Sequence, residues 1–218
     1  SVSLPEGLTV QQMMARLAAD PVLEGDLPNE LPPEGSLRPD TYKFSRGTKR
    51  EEILTQMRVA QERLIDQIWE RRDADLPVKT KQEFVTLASI VEKETGIASE
   101  RPMVASVYSN RLRQGMKLQA DPTVIYPITK GKPLGRRIRQ SELRAVNGYN
   151  TYASPGLPDG PIANPSKAAI EAVLDPAKSS ALYFVADGKG GHIFANTLAE
   201  HNANVQRYYA IRRARGEM

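Results

Sequence analysis

The sequence contains no cysteine, one tryptophan and two histidines. Without cysteine there are no disulfides and no thiolate metal sites, while the compartment stays open because many exported proteins also lack it. His192 and His201 fall outside any H-E-x-x-H pattern, and we expect no metal site. No apolar run approaches membrane-spanning length, and no signal peptide stands at the start. There is no G-x-x-x-x-G-K-[ST] phosphate loop and no G-x-S-x-G elbow; Gly188-Lys189-Gly190-Gly191 reads as a hairpin turn. Internal repeats and low-complexity tracts are also missing. The excess of positive charge is slight, 30 basic against 26 acidic residues for a net +4. That is too little to indicate a nucleic-acid partner.

What is present describes an ordinary globular protein. Hydrophobic residues make up 40% and charged residues 26% of 218 positions. This length supports one sizeable core and at most two domains. The chain opens on Ser1-Val2-Ser3 without an initiator Met, so we expect a piece excised from a longer protein.

The periodicity predicts an α+β fold, mainly helical, with a small antiparallel hairpin. Thr9 is placed to cap a short helix carrying Met13, Met14 and Leu17. Residues 20 to 41 read as a long loop, followed by a short strand around Tyr42 and Phe44. Thr48 is expected to cap a helix from about Lys49 to Arg72, with Ile53, Met57, Leu64, Ile65 and Ile68 inward. Further helices are expected over about Thr80 to Thr95 and Arg101 to Gln114. Leu118, Ala120 and Pro122 alternate with Gln119, Asp121 and Thr123, which predicts an extended segment. The stretch from 127 to 165, dense in proline and glycine near its end, reads as a long irregular and functional loop. Ser166 begins a helix to Leu174. Leu182 to Ala186 and His192 to Phe194 form a hairpin, and a last helix runs from about Leu198 to Arg213. We take 1-218 as a single domain, with an N-terminal helical and loop part (1-78) and a core (79-218).

The stretch from Phe84 to Gly96 organises the rest. Phe84, Leu87, Ala88 and Val91 recur at helical spacing, with Ile90 beside them. Glu94 lies three or four residues beyond Ile90 and Val91, so a carboxylate continues the apolar stripe. Desolvation there raises its pKa, which suits a general acid working near neutrality. Gly96 reads as the helix stop. Glu92 lies ~200° away around the helix, at ~100° per residue, and cannot share a site with Glu94.

Several polar residues in non-helical segments can keep Glu94 company: Gln119, Asp121, Thr123, Asn150, Tyr152 and His192, with Thr197 and His201 further on. Amides, hydroxyls and aromatic faces suit a carbohydrate cleft, because sugar hydroxyls take directional hydrogen bonds and sugar faces pack on rings. Each also has a local explanation. Asp121 before Pro122 can simply start a turn, Asn150 can hold its own loop, and His192 and His201 can be solvated.

These residues carry a resemblance. Ser89-Ile90-Val91-Glu92-Lys93-Glu94-Thr95, Asn110-Arg111-Leu112, Gly115 through Tyr126, Tyr149-Asn150-Thr151-Tyr152, Gly156-Leu157-Pro158 and Tyr183 through His192 are similar to the endolytic murein transglycosylase family, the MltG or YceG-like proteins. Glu34-Gly35 and Pro39-Asp40-Thr41-Tyr42 match an upstream signature, and Tyr42 joins the candidate substrate-binding residues. The likeness runs over nearly the whole chain.

The resemblance implies cleavage of the β-1,4 bond between N-acetylmuramic acid and N-acetylglucosamine inside peptidoglycan strands, with a 1,6-anhydromuramyl end and no water consumed. It places the catalytic acid on Glu94 and implies no cofactor. It implies a bacterial inner-membrane protein whose catalytic domain faces the periplasm or cell-wall side. An N-terminal anchor and a LysM-like module would then lie outside this chain. Glycan strands are the implied partner, with cell-wall synthesis enzymes such as penicillin-binding proteins beside them. Endolytic cleavage implies binding on both sides of the scissile bond, so Gly148 to Pro165, with Gln119 to Thr123, are expected to line one groove over Glu94, open at both ends. The competing reading is a non-catalytic peptidoglycan-binding or scaffolding domain.

If Glu94 is the acid, Glu94→Gln abolishes glycan cleavage with the fold retained, a loss on the order of 10²–10⁴-fold. Glu92→Gln keeps substantial turnover. A dead Glu92→Gln beside an active Glu94→Gln, measured on purified sacculi, would reverse the assignment.

Overall fold

The computed structural model describes residues 1–218. Eight helices and two two-stranded antiparallel sheets pack around two hydrophobic cores. This agrees with the expected α+β class. β1 (Val2–Leu4) pairs with β2 (Asp40–Tyr42), with Val2 opposite Tyr42. Between them lies α1 (Val10–Ala19), opened by a capping box in which Thr9 and Gln12 each bond the other's backbone N–H.

α2 (Arg50–Glu70) joins the two cores. Its first half places Ile53, Leu54 and Met57 against β1, α1, Leu23 and Leu37. Its second half places Leu64 and Ile68 in the larger core, with Leu76 and Val78. The N-terminal 78 residues therefore contribute to both cores. The cap of α2 differs from expectation. Lys49, not Thr48, holds the N-cap position, without a side-chain bond. The entry to α2 is held instead by the Arg50 guanidinium, which donates to the carbonyls of Leu17, Ala18, Asp20 and Gly25.

α3 (Lys81–Glu94) runs through the larger core. Every residue from Phe84 to Val91 is buried, polar ones included. Thr86 and Ser89 answer their burial locally, donating to the carbonyls of Gln82 and Thr86. The helix ends through an extended Thr95 rather than a left-handed Gly96. A 3₁₀ turn at Ala98–Glu100 leads into α4 (Arg101–Arg113).

The expected extended segment stops at Ala120. Residues Asp121–Thr129 form a helix, α5. Pro122 occupies its first turn, where a missing N–H is harmless and a fixed φ suits the helix. The short α6 (Gln140–Arg144) follows. Beyond Asn147 the chain stays irregular, and its end becomes a buried strap: Gly160 through Pro165 are all buried. The Ile162 N–H donates to the Ser89 hydroxyl at 3.0 Å, fastening the strap to α3. α7 (Lys167–Leu174), capped by Ser166, then packs against α3. β3 (Tyr183–Ala186) and β4 (His192–Ala195) form the hairpin, with Phe184 opposite Phe194. α8 (Leu198–Ala214), capped by Thr197, closes the chain against β3.

One polar network ties the N-terminal part to the strap. The Asn164 side chain accepts from the Leu37 N–H and donates to the Leu8 carbonyl and to Glu34 Oε1, all at 3.0 to 3.1 Å. Glu34 also accepts from the Val10 N–H at 2.6 Å and the Tyr126 hydroxyl at 2.8 Å. Next to it, Gly35 sits at φ +85°, and a Cβ there would meet Pro161 and Val85 at 2.9 Å. Only glycine fits that conformation and that approach.

Asn164 is fully buried, so its loss strands the Leu37 N–H and takes one donor each from the Leu8 carbonyl and Glu34 Oε1, which keep the backbone N–H groups of residue 164 and Val10. Asn164→Ala is expected to lower stability by about 2–3 kcal/mol, seen as a fall in melting temperature of roughly 5–10 °C for a domain of this size. A shift within 1 °C would show that water replaces the amide without loss.

Candidate active site

Glu94 ends α3 at the floor of a cavity of about 230 Å³. α4 supplies Val107, Tyr108 and Arg111; the turn before α5 supplies Leu118 and Gln119; α5 supplies Asp121. Tyr152 comes from the irregular stretch, Leu182, Tyr183 and Phe184 from the hairpin, and His201 from α8. The cavity is thus closed by segments from across the last 125 residues, on a floor set by the most buried helix.

The Glu94 carboxyl is pushed up to about 7. Desolvation is the main cause. A hydrogen bond from Tyr108 pulls the other way, and the Asp121 carboxylate adds a further upward push. Near neutrality the group therefore exists in both protonation states, as an acid that later acts as a base requires. The Tyr108 hydroxyl is driven well above its usual range by burial and by Glu94, so it stays a neutral donor.

Gln119 has a φ of +52°, in the left-handed region that only a few non-glycine residues visit. Two contacts to the neighbouring loop hold it there. Its N–H donates to the Thr151 carbonyl at 3.3 Å, and the following Ala120 N–H donates to the Thr151 hydroxyl at 2.9 Å. Strain of this kind persists only where the surroundings impose it, and it gathers at functional sites. At the mouth of the cavity, the Tyr152 hydroxyl donates to Asp121 Oδ1 at 2.5 Å.

Arg111 is almost fully buried. It donates through Nε to the Leu182 carbonyl at 2.7 Å and through Nη1 to the Lys117 carbonyl at 2.8 Å. Its guanidinium also lies 5.0 Å from the centre of the Tyr183 ring. Arg111 thereby fixes the hairpin against the turn that carries Gln119. Arg111 and Tyr108 were not among the residues expected at the site. Both continue an apolar stripe through Val104 and Val107, the same signal that marked Glu94.

Of the residues expected at the site, the structure gathers Glu94, Gln119, Asp121 and Tyr152. It places the others in the frame. Thr123 is buried beneath the cavity; its hydroxyl donates to the Ala120 carbonyl and contacts the Thr151 hydroxyl at 2.8 Å. Asn150 is also buried. Its amide donates to the carbonyls of Glu142, Leu143 and Ala145, ending α6, and its Oδ1 accepts the Tyr152 N–H. His192 pairs with Glu100, Nδ1 to Oε1 at 2.8 Å and N–H to Oε2 at 2.7 Å. That clasp holds the hairpin to the turn after α3. Tyr42 lies in the N-terminal sheet and donates to the Arg38 carbonyl. The groove expected from 148 to 165 is likewise corrected. Only Tyr152 of that stretch lines the cavity, and Gly160 through Pro165 form the buried strap.

Glu92 does point elsewhere. Its Oε1 accepts the Ser166 N–H at 2.7 Å, and Oε2 lies 3.7 Å from Arg101. It joins α3 to the start of α7.

The model of the YceG-like family matches residues 1–207. A Bacillus subtilis protein named endolytic murein transglycosylase is 37% identical over 178 residues, covering 81% of this chain and 48% of that protein. A Streptococcus pneumoniae protein of the same name is 35% identical over 179 residues, covering 79% of this chain and 31% of that protein. A crystal structure of a yceG-like protein from Listeria monocytogenes superposes with a TM-score of 0.77 at 33% identity, over 93% of this chain and 75% of that one. The chain spans about half the length or less of these curated relatives.

The raised pKa of Glu94 has a consequence for stability. The folded protein holds this proton to about pH 7, the unfolded chain only to its ordinary value near 4.5. Stability from this group is therefore complete below about pH 4.5 and is lost as pH rises toward 7. Glu94→Gln removes the titration. Its melting temperature should gain on that of the parent between pH 5 and pH 8, by the equivalent of on the order of 1–3 kcal/mol. A difference that stays constant across that range would mean the carboxyl is not desolvated.

Proposed function

This chain belongs to the YceG-like family, and from that premise we propose that it is an endolytic lytic transglycosylase. Its substrate in this reading is the peptidoglycan glycan strand, cut at the β-1,4 bond between N-acetylmuramic acid and N-acetylglucosamine. The observation that carries the reading is one desolvated carboxyl at the floor of a cavity, with a pKa of about 7.

Hydrolysis of a glycoside ordinarily takes two carboxyls, an acid and a nucleophile or base. Transglycosylation with an internal nucleophile can proceed with one. Glu94 protonates the glycosidic oxygen as the bond to the anomeric carbon breaks. As carboxylate it then takes the proton of the C6 hydroxyl on the same sugar, whose oxygen closes onto the anomeric carbon. The nucleophile is already attached to the reacting ring, so the step draws on a high effective molarity. The Tyr108 hydroxyl, donating to Glu94, steadies the carboxylate between these proton transfers. Gln119 is placed to orient the sugar, and its strained backbone fixes where the amide stands. The second carboxyl of the cavity, Asp121, is engaged by Tyr152, which suits substrate binding more than nucleophilic attack.

The setting is part of the same reading. No helix here is long and apolar enough to cross a membrane, so attachment to the inner membrane would come from a segment outside this chain. The catalytic domain would face the cell-wall side, beside the synthetic enzymes, including penicillin-binding proteins, that extend glycan strands. Cleavage there would set the length of new strands.

The test is digestion of purified sacculi followed by mass analysis. Fragments ending in 1,6-anhydromuramic acid support the proposal. Reducing ends would make the protein a hydrolase, and no release by a protein that binds the strands would leave a scaffold. The pH profile is a second check. Above about pH 7 turnover should fall roughly tenfold per unit as Glu94 loses its proton. A rate flat to pH 9 would exclude Glu94 as the acid.

A further inference from the structure

His201, like Arg111 and Tyr183, is an ionisable side chain of the cavity wall to which the reaction above gives no part. It projects from the first turns of α8, four residues after the Thr197 cap. Its ring stacks on Tyr183, with centres 5.0 Å apart and planes 19° from parallel. Nδ1 is sealed from solvent and has no hydrogen-bond partner, while the residue lines the cavity. The open edge of the ring therefore carries Nε2.

That geometry selects a tautomer. With the proton on Nδ1, a buried N–H would lack an acceptor. With the proton on Nε2, only a lone pair goes unmatched at Nδ1, and Nε2 becomes a donor facing the cavity. Desolvation, together with the Arg111 charge, lowers the His201 pKa and keeps the ring neutral at pH 7. The facing groups are Arg111 of α4, Tyr183 of β3, and Glu94, Asp121 and Tyr152 across the cavity.

The other polar groups are committed. Arg111 is taken by carbonyls, Tyr152 by Asp121, and Tyr108 by Glu94. Gln119, Tyr183 and His201 are the polar side chains of this wall without a side-chain hydrogen bond inside the protein. Of these, His201 alone is held rigid by stacking with one nitrogen buried. With its ring stacked and Nδ1 sealed, Nε2 is the one ring nitrogen left to meet a ligand on the open side.

Resting on the lytic reading of the site, we propose that His201 is a substrate-binding residue that donates from Nε2 to an oxygen of the sugar in the cavity. The neutral ring neither competes with Glu94 for its proton nor adds a charge that would hold Glu94 ionised. Stacking against Tyr183 fixes the donor, so the sugar is oriented by a rigid wall opposite the acid.

The experiment uses a GlcNAc–MurNAc tetrasaccharide and the Glu94→Gln background, so that no turnover intervenes. Isothermal titration should show about tenfold weaker binding in Glu94→Gln/His201→Phe, which keeps a ring against Tyr183 but has no donor. Its melting temperature should be unchanged or higher, because an unmatched buried nitrogen is removed. Glu94→Gln/His201→Gln, which restores a donor, should recover part of the affinity. Binding within twofold of the parent in the Phe variant overturns the proposal. So does an affinity loss that tracks a collapse in melting temperature and is not relieved by glutamine. If the tetrasaccharide binds Glu94→Gln with this dependence while the wild type releases no anhydro fragments, the lytic reading fails and the binding role of His201 stands. If it binds no variant, both fall.

Discussion

The structure depends on keeping one carboxyl out of water. A lone carboxyl resists burial, and the fold meets that resistance by fixing Glu94 to the end of its most buried helix. Phe84 through Val91 are packed on every side, so α3 cannot rotate to bring Glu94 into solvent without exposing apolar surface. Burying a side chain such as Leu87 or Ile90 is worth about 1.5–3 kcal/mol, and several act together. The raised pKa at Glu94 is thus maintained by the core, and the proposed chemistry would draw on packing energy far from the substrate.

The same logic explains the effort put into holding the cavity wall. The wall comes from α4, the turn before α5, the hairpin and α8. Arg111 joins the hairpin to the turn, Thr151 fixes Gln119 and Ala120, and the Glu100–His192 clasp anchors the hairpin beside the end of α3. Each tie is a side chain bonded to backbone or to a charged partner. Such bonds fix position more tightly than apolar contact, which is non-directional.

Much of this was legible in the sequence, and the failures share a cause. Glu94 could be read because a charge falling on an apolar stripe breaks a pattern, and the pattern belongs to the helix alone. Arg111 obeys the same rule on α4, so its burial was open to the same reading. Thr123, Asn150 and His192 were harder. A short polar side chain in a Pro- and Gly-rich segment looks the same whether it faces a ligand or its own backbone, and only the tertiary path decides. The loop from 148 to 165 was read as a groove because long irregular stretches are often functional. Here its buried carbonyls and N–H groups are met by Gly7, Leu8 and Ser89, so it can run through the interior. α5 was missed because Pro122 marks both extended chain and a helix start, and the two-residue alternation before it favoured the first.

Three buried or half-buried glutamates show what separates structure from chemistry here. Glu92, two residues from Glu94, meets the Ser166 N–H and the Arg101 guanidinium. Glu34 is desolvated enough that its pKa is also raised, yet both its oxygens are matched by donors. Burial alone therefore does not pick out an acid. Glu94 differs in having no backbone N–H donor and no cation at its carboxyl, only a hydroxyl whose own proton is hard to remove. It also opens onto a cavity. A carboxyl with that shortage of donors gains most when a substrate oxygen arrives to share its proton, which is the condition for general acid catalysis. The fold supplies many donors at Glu34 and few at Glu94, and that unequal supply is what suits Glu94, and not Glu34, to the proposed proton transfer.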